Sequence, residues 1–539
     1  MSLAMILGCK KNSTDLLVYN GVIYTVNEGF STAEAMAIRS GKIIALGTSV
    51  KLKKDFPGAQ AIDLRGRAVY PGFIDPHCHF YGYGLTLRQA DLTGSLSTAE
   101  IAERLQKHRQ QNPSAWILGR GWDQNDWKKK EFPNKSMLDK LFPDVPIYLT
   151  RVDGHAAWVS SKALDMAGID AGTTVKGGEI LTDAKGVTGI LLDNAMALVE
   201  QLLPPAGRDD QIKALLNAET NCFSVGLTSV GDAGLDRDIV LLIDSIQQCG
   251  VLNMRVYAML NPSEENISRF INKGVYHTDR LNVRSVKLYA DGALGSRGAL
   301  LTAPYADDPE NSGIQVSSTE LLTRICKLAF DKGYQVNTHC IGDSAVRLIL
   351  AIYSGFLPEG NDLRWRIEHS QVLHPDDFTL FARYGIVPSI QTTHATSDMY
   401  WAEERLGPER IKYAYAYKTL LGQNGWLPNG SDFPVESINP LYGFYAAIAR
   451  KDLKGFPPDG YRMQEALSRE QALKAMTIWA ARACFEEKSI GSLEPGKVAD
   501  FVVLNKDIMK AEEKTIPEAK VVMTFMDGKV VYSEKTNSE

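Results

Sequence analysis

Two histidines one residue apart, His77 and His79 in "PGFIDPHCHF", stand where the apolar run "AVYPGFID" ends. In an extended chain alternate side chains share a face, so both imidazoles point one way and Cys78 the other. Two neutral imidazoles reaching one spot are donors suited to a zinc-like divalent ion. A pair like this reads equally well as ordinary loop histidines, so its meaning depends on partners elsewhere. Four candidates close other apolar stretches: Lys287 in "RSVKLYADGA", His339 in "YQVNTHCIGD", His369 in "RWRIEHS" and Asp432 in "WLPNGSDFPV". Each alone has a bland reading: a core histidine, a turn carboxylate, a surface lysine. Buried together without a purpose, they would be costly. Four imidazoles and one carboxylate exceed one tetrahedral centre, which implies a second metal. Two ions about 3.5 to 4 Å apart need a bridging anion. Lys287 is the candidate, because a buried amine is readily neutralised and can then add carbon dioxide to become a two-oxygen carbamate.

Something must bring these scattered residues together. Eight apolar stretches read as strands: the four just named, "AVYPGFIDPHCH", "LTSVGDAG", "NMRVYAML" and "GIVPSIQT". Amphipathic helical stretches such as "STELLTRICKLAFDKG" lie between them. Eight such units close a parallel barrel, whose C-terminal strand ends open on one face. The predicted class is therefore α/β, a (β/α)8 TIM-like barrel over 71–485. The gap from His79 to about Leu227 is too long for one crossover and carries its own strands and helices. It is expected as an inserted subdomain over about 81–220, above the barrel mouth. Segments 15–70 and 486–539 share a short-strand texture with turn pairs Asn20-Gly21, Ser40-Gly41 and Asp527-Gly528. They are expected to build one small β-sandwich domain from both termini.

The ordered set "PGFIDPHCH", "KLYADGALGSRGA", "NTHCIGD", "RIEHSQ", "GSDFPV" and "GSLEPGKVADFVVL" resembles the metal-dependent amidohydrolase superfamily, in particular its branch of N-substituted formamide deformylases. The resemblance covers nearly the whole chain. It implies His77 and His79 as ligands of one metal, Lys287 as a carboxylated bridge, and His339 and His369 as ligands of the other. Asp432 would be both ligand and proton carrier. The implied reaction is hydrolysis of a non-peptide carbon-nitrogen bond in an N-formyl, N-acyl or cyclic amide, by a hydroxide shared between two divalent ions, most simply zinc. The same resemblance suggests substrate contacts at His155 in "RVDGHAAWV" and Arg297 in "GALGSRGAL", where Arg297 could grip a carboxylate or be a solvated loop charge. Trp122, Asp126 and Trp127 in "GRGWDQNDW" could wall off an apolar substituent, or the tryptophans could pack inside the insertion. His394 is a further substrate-side candidate. Two alternatives remain: a mononuclear deaminase on the same barrel, which would not need Lys287, and a non-catalytic metal-binding relative.

Composition narrows the partners. The 539 residues carry a formal charge of -5 and no basic block long enough to track a phosphate backbone, so nucleic acid is not expected. Seven cysteines without CxxC spacing argue against a disulfide framework. Residues 1–14 read as a disordered tail in which "MSL" is a cloning remnant. Within it, "LAMILGC" resembles the end of a bacterial lipoprotein signal, which would acylate Cys9 and place the protein in the periplasm. The competing expectation is a cytoplasmic chain with a chance cysteine. A small-molecule amide is the expected partner, with homodimer formation left open.

Overall fold

Seven of the apolar stretches form parallel strands: β1 (Phe73–Cys78), β2 (Leu227–Leu235), β3 (Arg255–Leu260), β4 (Leu281–Tyr289), β5 (Gln335–Cys340), β6 (Arg366–His369) and β7 (Val387–Ser389). They pair in chain order, β1 beside β2 and so on to β7. The computed structural model describes residues 16–534; the tail, Cys9 and its proposed acylation lie outside the described residues. All residues of β3 and β5 are buried. Burial on both faces is what a parallel sheet covered by helices requires, and it is why these strands read as near-continuous apolar runs.

The eighth stave departs from expectation. "WLPNGSDFPV" closes the barrel without forming a regular strand. Ile390 N donates to Pro428 O, Gly430 N to Ile390 O and Asp432 N to His77 O, at 2.9 to 3.0 Å, while His79 N donates to Phe433 O at 2.8 Å. Pro428 and Pro434 have no N–H to give a ladder, and Asp432 takes a left-handed φ of 60°. The segment thus bridges β7 and β1 while turning Asp432 out of strand geometry.

Helices cover the barrel for reasons visible in sequence. In Thr319–Lys332 the Ser318 side chain caps Leu321 N, and Gly333 ends the helix at φ 68°. The face it buries, Leu322, Ile325, Cys326 and Ala329, follows the spacing of one helix stripe. Burying its leucine and isoleucine stabilises by about 1.5–3 kcal/mol each.

Between β1 and β2 the chain builds a separate mixed sheet, ordered Gly178–Asp183, Gly186–Asp193, Ala156–Val159, Ile147–Arg151, Ile117–Trp122 and Ala90–Asp91. Its two faces bury different clusters, Trp158 in one and Ala157 and Val159 in the other, as strand alternation dictates.

Two further sheets come from the chain ends. One contains Lys42–Gly47, Ala35–Arg39, Leu16–Tyr19 and Gln60–Asp63. The other interleaves strands from both ends, with Phe501–Leu504 against Ala68–Pro71. They share a core that includes Val18, Ile38, Val69 and Phe525, while Tyr70 and Val502 on the opposite face join the barrel core. Ser40-Gly41 and Asp527-Gly528 make hairpin turns with both residues at positive φ. Asn20-Gly21 does not. It carries the chain from one sheet to the other, and Gly21 is needed because a Cβ there would meet Leu64 Cδ1 at 2.6 Å. The six described cysteines are unpaired, and no described helix is long and apolar enough to cross a membrane.

A buried charge network joins this domain to the barrel. At the start of β3, Arg255 Nε donates to Asp500 Oδ2 at 2.7 Å and its Nη2 reaches Asp527, which also pairs with Arg280. Asp500→Ala would leave Arg255 with one shared partner, and is expected to destabilise the protein by about 3–5 kcal/mol in denaturant unfolding.

Candidate metal centre

The parallel register sets the heights of the polar side chains. Lys287 pairs with Asn337 and Tyr289 with His339, so His339 stands two residues above Lys287 along its strand direction. Cys340 pairs with His369 on β6. His369, at φ 72°, and Asp432, at φ 60°, both hold a backbone conformation that non-glycine residues seldom adopt. Such conformations persist where the surroundings over-determine them, as at active sites.

Hydrogen bonds fix which nitrogen each histidine offers. His77 Nδ1 lies 2.5 Å from Glu368 Oε2, His79 Nδ1 3.1 Å from Ala233 O, and His369 Nδ1 2.7 Å from Gln391 Oε1. All three partners accept, so Nδ1 carries the proton and the neutral ring presents an Nε2 lone pair. Metal-binding histidines are typically oriented in this way. His77 and His79 aim those lone pairs at one atom, Asp432 Oδ1, at 3.5 and 3.2 Å. That oxygen is buried and has no hydrogen-bond partner among the described residues. Lone pairs facing a carboxylate oxygen call for a cation between them, and the donor set suits a divalent metal ion.

Electrostatics agree. Burial would raise the Asp432 pKa, but contacts with His77 and His79 hold it well below the ordinary carboxylate range. Burial, followed by neighbouring His369 and His155, keeps His339 well below the usual histidine value. Burial also holds His369 down. For His77, burial and Lys287 push the pKa down while Glu368 and Asp432 raise it, with a net rise. A proton and a metal ion therefore compete for the same lone pair. Lys287 Nζ sits 3.2 Å from His77 Nε2, and burial brings its pKa down to about 8.

Two groups have ligand atoms within 4.8 Å of one another: His77, His79 and Asp432, and His369, His394 and Asp432. His394, expected from sequence on the substrate side, belongs to the second of these groups. Its Nε2 is buried without a hydrogen-bond partner and lies 3.9 Å from Asp432 Oδ2. His339 stands outside both groups, with Nε2 3.3 Å from Gly292 O and its ring centroid 4.6 Å from that of His369.

A cavity of about 720 Å³ opens above the cluster, walled by the barrel mouth and the inserted sheet. His155 and Asp126 line it. His155 Nδ1 is tied to Asp193 Oδ1 at 2.7 Å, leaving Nε2 for the cavity, and burial with Asp123 nearby raises Asp126 to about 6. Trp122 and Arg297 do not line it. Trp122 is fully buried against Trp127, Trp158 and Phe132 and donates Nε1–H to Leu149 O at 2.8 Å, so it belongs to the core of the insertion. Arg297 pairs with Asp307 at 2.9 Å, an acid that Arg405 also engages. Arg297 and Arg405 thus share one carboxylate outside the cavity lining, which keeps Arg297 away from a substrate held there.

Sequence reading passed over the groups behind the ligands. Glu368 is buried between His77 and Arg366, and despite burial the Arg366 charge, followed by the contact with His77, holds its pKa far below normal. The signal was available: Arg366 and Glu368 alternate with Ile367 in "RIEHS" and so share a face. Gln391 and Asp193 carried none. Gln391→Leu removes the acceptor that orients His369, and is expected to weaken metal affinity about 10- to 100-fold in a chelator-competition titration.

Comparison with known proteins places this geometry. Residues 60–532 match the model of the Amidohydrolase family. The Bacillus subtilis protein YtcJ is 33% identical over 526 residues, 96% of this chain and 99% of that protein. An N-substituted formamide deformylase of Arthrobacter pascens is 27% identical over 551 residues, 97% of this chain and 99% of its own. A metal-dependent hydrolase from Pyrococcus furiosus superimposes with a TM-score of 0.72 at 29% identity, covering 92% of this chain and 100% of that one.

Proposed function

Because this chain belongs to the amidohydrolase family, we propose that it hydrolyses the carbon-nitrogen bond of an N-formyl, N-acyl or cyclic amide at a two-metal centre. The observation that carries this reading is the convergence of His77 and His79 Nε2 on the orphaned Asp432 Oδ1, with Lys287 Nζ 3.2 Å from the first of those nitrogens. His77, His79 and a carboxylated Lys287 would hold one ion. Lys287, His339 and His369 would hold the other, with His394 close enough to assist. Bound there, divalent ions supply Lewis acidity and lower the pKa of a coordinated water to about 7.

The chain's own groups supply the rest. Asp432, its charge maintained by His77 and His79, accepts the proton of the attacking water and returns it to the departing nitrogen, so a neutral amine leaves. His155, oriented by Asp193, presents Nε2 to the substrate at the cavity wall. Burial would lower its pKa, but Asp193, with Asp153 and Asp291, raises it on balance, and a protonated ring can donate to the carbonyl oxygen as charge develops there. The inserted sheet covers the mouth and limits water access.

The decisive experiment is metal analysis together with turnover of the zinc-loaded protein on a panel of N-formyl, N-acyl and cyclic amides. Two ions per chain and release of amine with carboxylate are expected. A single ion with release of ammonia from an aminated ring would favour the mononuclear deaminase. Two ions with no turnover on any amide would overturn the reading.

A further inference from the structure

Two arginines line the cavity above the metal centre, and their charges are treated differently. Arg151 is matched: Nε donates to Gln124 Oε1 at 2.8 Å, and its terminal nitrogens pair with Asp123 and Asp153. Arg120 has no carboxylate at ion-pair distance among the described residues. Its Nη2 donates to Val152 O at 3.0 Å, and its Nε is buried without a partner. A guanidinium remains charged even where burial lowers its pKa, as burial does here. Asp153, already paired with Arg151, acts on the half-buried Arg120 only from beyond ion-pair distance, so the guanidinium keeps donors free for a carboxylate that arrives.

The backbone is shaped to put this arginine where it is. Arg120 lies on Ile117–Trp122, whose pairing with Ile147–Arg151 shifts register between Arg120 and Trp122. Such irregularities re-aim a side chain and recur beside active sites. Gly121 follows at φ 107°, where a Cβ would stand 2.4 Å from Thr93 Oγ1. Arg120 also lines a second cavity of about 430 Å³, together with His79, His155 and Tyr289. It therefore stands where two cavities meet beside the metal ligands. Of the acids that line the larger cavity, Asp123 and Asp153 pair with Arg151, Asp398 with Tyr415 and Gln371, Glu436 with Ser397 and Asp91 with Thr93 N, Asp432 faces His77 and His79, and Asp126 makes no ion pair among the described residues.

We propose that Arg120 is the anchor for a carboxylate on the substrate, which makes the substrate class amides that bear a carboxylate near the scissile bond, as N-formyl and N-acyl amino acids do. The proposal rests on the hydrolytic reading above and assigns to Arg120 the grip that sequence suggested for Arg297. A planar guanidinium with free donors matches a carboxylate bidentately, and hydrogen bonds between ions are the strong ones.

The test pairs N-formyl and N-acetyl derivatives of glycine, phenylalanine and leucine with their decarboxylated counterparts, such as N-acetylphenylalanine with N-acetylphenethylamine. Zinc-loaded wild type should prefer the carboxylate member of at least one pair by about tenfold or more in kcat/KM. Arg120→Met should cut that preference about tenfold or more through KM, and Arg120→Lys should restore part of it. Wild type without preference, or Arg120→Met lowering both members alike, would overturn the proposal. Calorimetry of the same carboxylates separates it from the reaction assignment. Binding that weakens at least about tenfold in Arg120→Met, without turnover, would keep the anchor and reject the hydrolysis. No binding to wild type would reject the anchor.

Discussion

Replacing Asp432 by asparagine is expected to lower turnover at least about a hundredfold, the usual contribution of a positioned general acid-base group, while leaving bound metal near two ions per chain. The two halves of the expectation have separate causes. Asparagine keeps an oxygen where Oδ1 faces His77 and His79, so a ligand remains. It removes the group that can take a proton, since an amide neither binds nor releases one near neutrality. Position does not distinguish these roles. Oδ1 lies against the Nε2 atoms of His77 and His79, whereas Oδ2 is 3.9 Å from His394, so one carboxylate can ligate with one oxygen and carry a proton on the other. The measurement is kcat on the best amide of the panel beside metal content by mass spectrometry. Normal turnover would remove Asp432 from the chemistry. Loss of metal together with turnover would reduce it to a ligand.

The parallel barrel was legible because buried parallel strands carry a simple signature: short apolar runs, helices between them, and polar residues at or near several C-terminal ends. His77 and His79 were legible for a related reason, the strict two-residue alternation of a strand. What failed had no such period. The eighth stave reads as a strand by composition but is held by isolated hydrogen bonds around two prolines, and that irregularity turns Asp432 to φ 60°. Asn20-Gly21 carries a hairpin signal that the long-range pairing of Leu16–Tyr19 with Ala35–Arg39 overrides. Arginines show the same limit. Arg120, Arg151 and Arg297 are equivalent in sequence, and only their placement relative to the cavity and to Asp123, Asp153 and Asp307 singles out the one that lines it without an ion pair. Trp122 is a parallel case, since an indole in "GRGWDQ" could wall a cavity or fill a core, and its packing on Trp158, two strands away in the same sheet, settles it.

Lys287 carries the second large expectation. It is almost wholly buried, its Nζ lies 5.0 Å from the Tyr289 ring centroid, and Glu368, Asp432, Arg366 and His77 are its charged or titratable neighbours. As an ammonium it would set a positive charge beside bound cations, which repels them. As a carbamate it reverses that sign and offers two oxygens, so one chemical step changes the residue from an obstacle into a bridge. Burial favours this step because it disfavours the ammonium, and only the free amine adds carbon dioxide. Lys287→Met should therefore reduce bound metal to one ion or fewer per chain and lower kcat/KM at least about a hundredfold, the scale of losing Lewis-acid stabilisation. The apolar replacement is of similar length, and exchanging a buried charge for it is often neutral or stabilising, so the unfolding midpoint should hold or rise. That separates loss of the centre from loss of the fold. Wild-type protein stripped of metal and reloaded without carbon dioxide or bicarbonate should behave like the variant, and adding bicarbonate should rescue the wild type alone. Two ions and full activity in Lys287→Met would leave the lysine a bystander and return the chemistry to a centre built from histidines and Asp432.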